Sequence, residues 1–289
     1  MLEILEERNQ LICSHIIELL DKHSKIERWN DNSNNNGVVF LTGDYRFKEL
    51  DIHGSQLQNK IFKEFQKHFE IVKLFFVDLA VDVQKQLAAQ EVSILIAINQ
   101  NKLLWHGSMQ NIKDSVSEAF GSIKNLLNRI HSCSDDQIIF VPDTNALLIN
   151  PDIETWAFDD VKAFEIILCP TVLSELDNQK TNHRNEVVRN KADKIIKKIK
   201  EYRRRGALAE GVTIVNNSIS LRTISEEPNM SQTVSWFVPD SNDDKILTSF
   251  IGLMRANSKS KVILVTSDIN LQNKADTLGF PYSEPPSQS

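Results

Sequence analysis

Cysteine and histidine are too few and too scattered in this sequence to build a disulfide framework or a zinc centre. The 289 residues include three cysteines, Cys13, Cys133 and Cys169, and seven histidines that form no HxH or HxxxH pair. Disulfide-rich domains and zinc sites both depend on characteristic spacings of these residues. The sequence therefore predicts reduced thiols and gives little support to a histidine-based metal site.

Long apolar runs, a secretory signal and a nucleotide-binding loop are also missing. The most apolar stretch, residues 71–83, contains Lys73, Asp78 and Asp82, and it is too short and too charged to span a bilayer. The start, MLEILEERNQ, is acidic and helix-like and does not resemble a signal peptide. Neither GxxxxGKS nor GxxxxGKT occurs. We therefore expect a cytoplasmic protein that has no membrane partner and does not hydrolyse ATP.

An excess of positive charge is absent as well. The chain has 33 basic and 39 acidic residues, which gives a net charge of -6. Nucleic-acid-binding domains usually carry a basic surface. Any contact with nucleic acid must therefore depend on a local basic patch.

The spacing of apolar residues changes near residues 134–137, which predicts two domains, 1–135 and 136–289. The first domain has apolar residues at helical spacing and is predicted to be mainly helical, with long helices over about 55–90 and 108–131. A hairpin is expected from VVFLTG and YRFKELDI, and a short strand from VSILIAI. This domain shows no catalytic motif. Its phenylalanine-rich stripe is expected to form a core, or else a surface that binds a second copy of the chain or a regulatory protein.

The second domain alternates buried strands with helices. Four apolar runs are typical of strands, QIIFVP, FEIILCP, GVTIV and KVILVT, and helical patterns separate them. Such Val/Ile-rich strands are typical of a parallel sheet that is covered by helices on both faces. The sequence thus predicts an α/β domain.

Acidic residues follow or nearly follow these strands. Asp143 comes directly after the first strand, Glu175 lies one turn into the helix after the second, and Asp268 follows the last. Asp240, Asp243 and Asp244 precede the helix ILTSFIGLM. Each acid alone suits an ordinary helix cap. Because the carboxyl ends of parallel strands meet at one edge, we expect the acids to converge there.

Clustered carboxylates repel one another unless a cation neutralises them or they take up protons. Oxygen ligands without histidine or cysteine select a hard ion, Mg²⁺ or Mn²⁺. Such a site polarises a phosphodiester and activates a water for in-line attack. The acids therefore indicate a metal-dependent hydrolase.

An ordered set of motifs in this half of the chain resembles a PIN domain. The motifs are DTNALLINPDIETWAF, ILCPTVLSELDNQK, RNKADKIIKKI, EGVTIV, NDDKIL and VILVTSDINLQNKADTLGF, and they cover about residues 138–281. The likeness is greatest to the PIN domains of PhoH-type proteins and of RNA-decay endonucleases. It implies a three-layer α/β/α fold, a divalent metal, and endonucleolytic cleavage of single-stranded RNA that leaves a 5′-phosphate.

The resemblance also implies roles for individual residues. It makes four acids the catalytic and metal-binding set: Asp143, Glu175, Asp243 and Asp268. Asp244 and Asp240 are extra acids, and Asp244 is the substitute if the alignment is shifted by one residue. Asn145 and Ser267 are expected to orient the ligands or the phosphate.

A basic helix follows in the sequence. Residues 184–205 contain ten basic and three acidic side chains. Such a helix is either a solvated surface or a ridge that tracks RNA phosphates in a salt-dependent manner. The second interpretation predicts an RNA contact through five residues: Arg184, Arg189, Lys191, Lys194 and Lys198.

Three other functions compete with a metal-dependent endoribonuclease. One is a catalytically silent PIN module that serves as an RNA- or protein-binding scaffold. Another is a DNA nuclease, although flap-type enzymes carry further acids and DNA-gripping motifs that are missing here. A HAD-type phosphatase is disfavoured because DTN lacks the second aspartate of DxD.

Overall fold

The computed structural model describes residues 2–28, 45–100, 108–130, 137–159 and 161–287. The chain divides into two compact units, Leu2–Ile130 and His131–Ser289. The predicted boundary at 134–137 lies almost wholly outside the described residues.

The N-terminal unit is helical. Helix α1 (Leu2–Lys22) contacts α2 (Ile52–Leu74) and α4 (Met109–Ile130), and α3 (Val81–Asn99) packs against α2 and α4. A small antiparallel sheet joins β1 (Ile26–Arg28) to β2 (Tyr45–Phe47). The mainly helical prediction is confirmed, and α4 agrees closely with the predicted helix over 108–131.

Two predicted elements of this unit are wrong. The helix expected over about 55–90 is interrupted after Leu74, where the amides of Phe75 and Phe76 bond three residues back and Gln84 binds the carbonyl oxygens of Val77 and Leu79. The stretch VSILIAI is the end of α3 and not a strand. A short apolar run does not distinguish a buried helix from a strand, and here tertiary packing against α4 decides.

The expected hairpin of VVFLTG with YRFKELDI stays a prediction. Tyr45–Phe47 pairs with Ile26–Arg28, and VVFLTG lies outside the described residues. The phenylalanine stripe is core: Phe65, Phe69, Phe75 and Phe76 are all buried. Phe62 of the same stripe is half-buried. Self-association of this unit stays a prediction.

The C-terminal unit alternates strands and helices. Its strands are β3 (Ile138–Pro142), β4 (Phe164–Leu168), β5 (Val212–Val215), β6 (Ile219–Thr223), β7 (Lys261–Val265) and β8 (Tyr282–Ser283). Its helices are α5 (Thr144–Ile149), α6 (Pro170–Asn182), α7 (Glu186–Arg205), α8 (Asn242–Ala256) and α9 (Ile269–Leu278), with short 3₁₀ turns at Ile153–Thr155 and Met230–Gln232.

These strands form one six-stranded sheet in the order β5-β6-β4-β3-β7-β8. All neighbours are parallel except β5 and β6. The chain builds outward from β3 to β4 and β6, then returns to add β7 and β8 on the other side. Because parallel crossovers are right-handed, the two directions place their helices on opposite faces of the sheet. The predicted α/β/α layering is confirmed.

The sheet differs from a purely parallel one at its β5 edge. A tight turn joins β5 to β6 and contains Asn217, whose φ of 56° is in the left-handed region that asparagine tolerates. This tight turn makes β5 and β6 antiparallel. The strand β6, ISLRT, was not predicted because polar residues interrupt its apolar pattern.

The direction in which the chain adds strands to the sheet reverses between β3 and β7. In open α/β sheets, ligands bind outside the carboxyl ends of the strands at such a switch point. The Asp143 amide donates to the Val265 carbonyl oxygen at 3.0 Å, which joins the ends of these two strands. The topology therefore places the residues after β3 and β7 next to each other.

Candidate functional site

Asp143 lies at the centre of this edge. It follows β3 directly and is only 4% exposed. Its Oδ1 accepts from the Ala146 amide at 2.6 Å and thereby caps α5. Its Oδ2 accepts from the Thr266 hydroxyl at 2.5 Å. The capping interpretation therefore holds for Asp143, yet the same carboxylate also faces the end of β7.

The environment of Asp143 opposes its ionisation. Burial is the main factor that raises the pKa of Asp143 to about 6, and the negative charges of Asp268 and Asp243 raise it further. The hydrogen bonds from Thr266 and Ala146 act in the opposite direction. Three carboxylates that were expected to converge are thus electrostatically coupled.

Asp268 caps α9 after the end of β7. Its Oδ1 accepts from the amides of Asn270 at 2.8 Å and Leu271 at 3.1 Å. The Asp268 amide donates to the Thr266 hydroxyl oxygen at 3.0 Å. Because that hydroxyl also donates to Asp143, Thr266 links the two acids.

Glu175 reaches the site from α6. Its Oε2 accepts a short hydrogen bond from the Thr144 hydroxyl, and its Oε1 accepts from Asn242 Nδ2 at 2.7 Å. Thr144 follows Asp143, and Asn242 precedes Asp243. The Glu175 carboxylate is therefore held between the starts of α5 and α8.

Asp243 and Asp244 have different surroundings. Asp244 is 2% exposed and accepts from the Val238 amide at 2.9 Å and from Lys274 Nζ at 2.6 Å. Asp243 is half-buried, and Lys274 Nζ is 3.9 Å from its Oδ2. Burial raises the pKa of Asp243; the charge of Lys274 lowers it, and nearby acids, among them Asp268 and Glu175, raise it. The Asp243 carboxylate thus interacts electrostatically with the other acids, whereas the Asp244 carboxylate has hydrogen-bond partners in Val238 and Lys274.

The secondary residues are less closely connected. Asn145 and Asp240 are exposed, and Ser267 is half-buried. Within the described ranges, no side-chain hydrogen bond joins these three residues to the four acids.

Four site residues were not predicted: Thr144, Asn242, Thr266 and Lys274. Thr144 and Thr266 lie inside the motifs DTN and TSD, so their positions next to the acids were visible in the sequence. Lys274 was not visible, because its contact with Asp244 spans 30 residues.

The donor chemistry of this cluster fits a divalent cation. All four side chains offer carboxylate oxygens, and the mutual charges that raise the pKa values of Asp143 and Asp243 are those that a cation neutralises. The carboxylates are nevertheless held by Thr144, Thr266 and the helix amides. Among the residues that the structure describes, no three acidic, histidine or cysteine side chains form a ready ligand group.

The basic helix α7 makes contacts within the protein. Lys191 Nζ donates to the Leu148 carbonyl oxygen at 2.8 Å, and Lys194 and Lys198 both bind Asp152, at 2.7 and 2.5 Å. Arg189 binds the carbonyl oxygens of His183 and Arg184 in the turn before α7, and Arg184 itself is exposed in that turn. Four of the five residues that were predicted to contact RNA thus make contacts within the C-terminal unit.

Comparison with known proteins identifies the C-terminal unit. Residues 140–284, half of the chain, match the family model of the PIN domain. No curated protein matches the chain. No helix in the described ranges is long and apolar enough to cross a bilayer. PIN domains are a nuclease fold, generally bind RNA and typically use divalent metals. The more specific likeness to PhoH-type proteins stays a prediction. On this match, and on the fold just described, the chain belongs to the PIN-domain family.

Proposed function

We propose that the C-terminal unit is a Mg²⁺- or Mn²⁺-dependent endoribonuclease that hydrolyses phosphodiesters of single-stranded RNA. The convergence of Asp143, Glu175, Asp243 and Asp268 at the switch point carries the proposal. Four separated segments of the chain supply these acids. Helix capping alone accounts for Asp143 and Asp268 but not for the position of Glu175.

The four acids would hold the ion. A divalent cation bound there supplies Lewis-acid polarisation of the phosphodiester and activation of the attacking water. Thr266 orients the carboxylate of Asp143, and Thr144 and Asn242 orient that of Glu175. Such supporting hydrogen bonds fix the direction of the ligand oxygens.

Lys274 and Asp244 form an ion pair next to the acids of the site. The Asp244 carboxylate is occupied by Lys274 and by the Val238 amide, whereas Asp243 is more exposed and interacts with Asp268 and Glu175. Lys274 also reduces the repulsion among the acids. We therefore assign Asp243, and not Asp244, to the ligand set.

The cytoplasm is the location that we propose. Cys13 and Cys169 are free thiols, and Cys169 is buried next to Ser249, where burial is the main factor that raises its pKa to about 12. Reduced thiols of this kind suit a reducing compartment.

A cleavage assay on the full chain tests the proposal. Labelled single-stranded RNA and DNA of the same sequence are incubated with the wild type, Asp143→Asn or Asp177→Asn in Mn²⁺. Asp177 is an exposed acid of α6 two residues after Glu175, so its variant is a matched control. We expect EDTA-sensitive internal cleavage of the RNA by the wild type and Asp177→Asn, and none by Asp143→Asn. RNA binding without any cleavage would instead favour a silent scaffold, and preferred cleavage of the DNA would favour a DNA nuclease.

A further inference from the structure

An exposed tryptophan lies on a firmly held part of the segment between β6 and α8, residues 224–241. Trp236 is 41% exposed, whereas its neighbours Val234 and Phe237 are buried. The Phe237 amide donates to the Val234 carbonyl oxygen at 3.1 Å. The rings of Trp236 and Phe237 are perpendicular, with centroids 4.8 Å apart. Trp236 is thus exposed between buried residues, and its ring contacts that of Phe237.

This segment is tied to the acidic site. The amide of Val238, two residues after Trp236, donates to Asp244 Oδ2 at 2.9 Å. Two residues of extended chain span at most about 7 Å. Asp244 follows Asp243 in α8, so this hydrogen bond attaches the segment that carries Trp236 to the start of α8, where Asp243 lies.

Electrostatics gives little help to a nucleic acid at this position. Without a bound cation the acids repel phosphates, and the ammonium group of Lys274 is paired with Asp244. Lys194 and Lys198 of α7 are paired with Asp152. A base stacked on an aromatic ring gives a strand at this edge a contact that does not depend on phosphate charge.

We propose that Trp236 is a stacking platform for a base of single-stranded RNA that binds at the acidic site. The inference rests on the proposed function, because it takes the substrate strand to pass this edge of the sheet. Stacking accepts any base, so Trp236 contributes affinity without sequence preference. Because no phosphate is contacted, its contribution is independent of salt, unlike binding by lysine and arginine.

Binding is measured in the full chain carrying Asp243→Asn, which prevents turnover. The probes are a single-stranded RNA of mixed sequence and an abasic strand of the same length. Trp236→Ala is expected to weaken RNA binding about tenfold, equally at low and high salt, since one stacked base contributes about that factor. Trp236→Phe keeps a ring and recovers most of the affinity. Val92→Ala, which removes an apolar side chain that is 50% exposed on α3, is the control and leaves the affinity unchanged.

The abasic strand separates stacking from other effects. The proposal requires that Trp236→Ala has no effect on the affinity for that strand. Equal RNA affinities of Trp236→Ala and its parent would overturn it, as would an equal loss against both strands. A change of oligomeric state in Trp236→Ala with unchanged RNA affinity would show a protein-binding surface and would also overturn it. If the stacking results hold but the wild type cleaves nothing, the nuclease proposal fails and the platform stands.

Discussion

The two units use burial of polar groups in opposite ways. In the N-terminal unit the buried His68 binds Asn9 at 2.8 Å, and burial, helped by the charge of Arg8, lowers its pKa to about 4. In the C-terminal unit burial raises the pKa of Asp143 to about 6, and further acids add to the effect. His68 is neutral at pH 7 and needs no counter-charge. Asp143 and its neighbours carry a repulsion that a bound cation would relieve.

The comparison shows where chemistry can be sought in a chain of two units. A helical core filled with phenylalanine needs few polar side chains. In the N-terminal unit, His68 and Asn9 share one hydrogen bond, and within the described residues His68 Nδ1 and Asn9 Nδ2 have no partner. The acids of the other unit are kept at the edge of a sheet at some expense to stability. Acids whose pKa values are shifted by burial and by one another are typical of functional sites.

The largest expected effect comes from removing the positive charge of Lys274 in the C-terminal unit. Lys274→Met leaves the buried Asp244 without its ion pair and should lower the free energy of unfolding by about 3 kcal/mol, since unpaired buried charges are costly. Chemical denaturation measures this value. The double variant Asp244→Asn/Lys274→Met should recover most of the loss. A Lys274→Met variant as stable as the wild type would contradict the assigned pairing.

The pH dependence of stability should differ in sign between the units. The folded pKa of His68 is below its unfolded value, so its contribution is present above about pH 6.5 and is lost as pH falls through about 4. The folded pKa of Asp143 is raised, so its contribution is present below about pH 4 and is lost as pH rises through about 6. Each effect is on the order of 3 kcal/mol over its full range.

Denaturation in EDTA between pH 4 and 7 checks both signs. The stability of His68→Gln, relative to the wild type, should increase as pH falls. That of Asp143→Asn should increase as pH rises. Parallel pH profiles of the two variants and the wild type would show that neither group is perturbed.

Thr266→Val should weaken metal binding without removing a ligand. Its hydroxyl links Asp143 to the Asp268 amide, and the loss of a supporting hydrogen bond typically costs about tenfold in metal affinity. Calorimetric titration with Mn²⁺ provides the measurement. The control is Thr277→Val, which removes a hydroxyl of α9 that donates to the carbonyl oxygen of Asn273. It should leave the Mn²⁺ affinity unchanged.

The smallest effect is expected at Asp243. Its side chain is 42% exposed, so solvent screens its repulsion and Asp243→Asn should gain less than about 1 kcal/mol, or about 2 °C in Tm, in EDTA. The same variant should lose the stabilisation by Mn²⁺ that the wild type shows. A variant that keeps the full Mn²⁺ response would remove Asp243 from the ligand set.

The sequence predicted the part of the fold that local patterns encode. Strands β3, β4 and β7 are continuous apolar runs, and the acids after them follow from the rule that strand ends converge. Strand β6 and the end of α3 were missed or misassigned because their apolar patterns are short, so packing decides the structure. The link through Thr266 and the pair Lys274–Asp244 join residues far apart in sequence, and local patterns contain no information about such contacts.

The most direct test of the central claim is a calorimetric titration of the metal-free protein with Mn²⁺, in parallel with Asp143→Asn, Glu175→Gln and the control Asp177→Asn. The account predicts that the wild type and the control bind the ion equally and release protons near pH 6, because Asp143 is partly protonated there. It also predicts that the other two variants bind weakly or not at all. Equal Mn²⁺ affinity in all four proteins would contradict the proposal that these acids form one metal site.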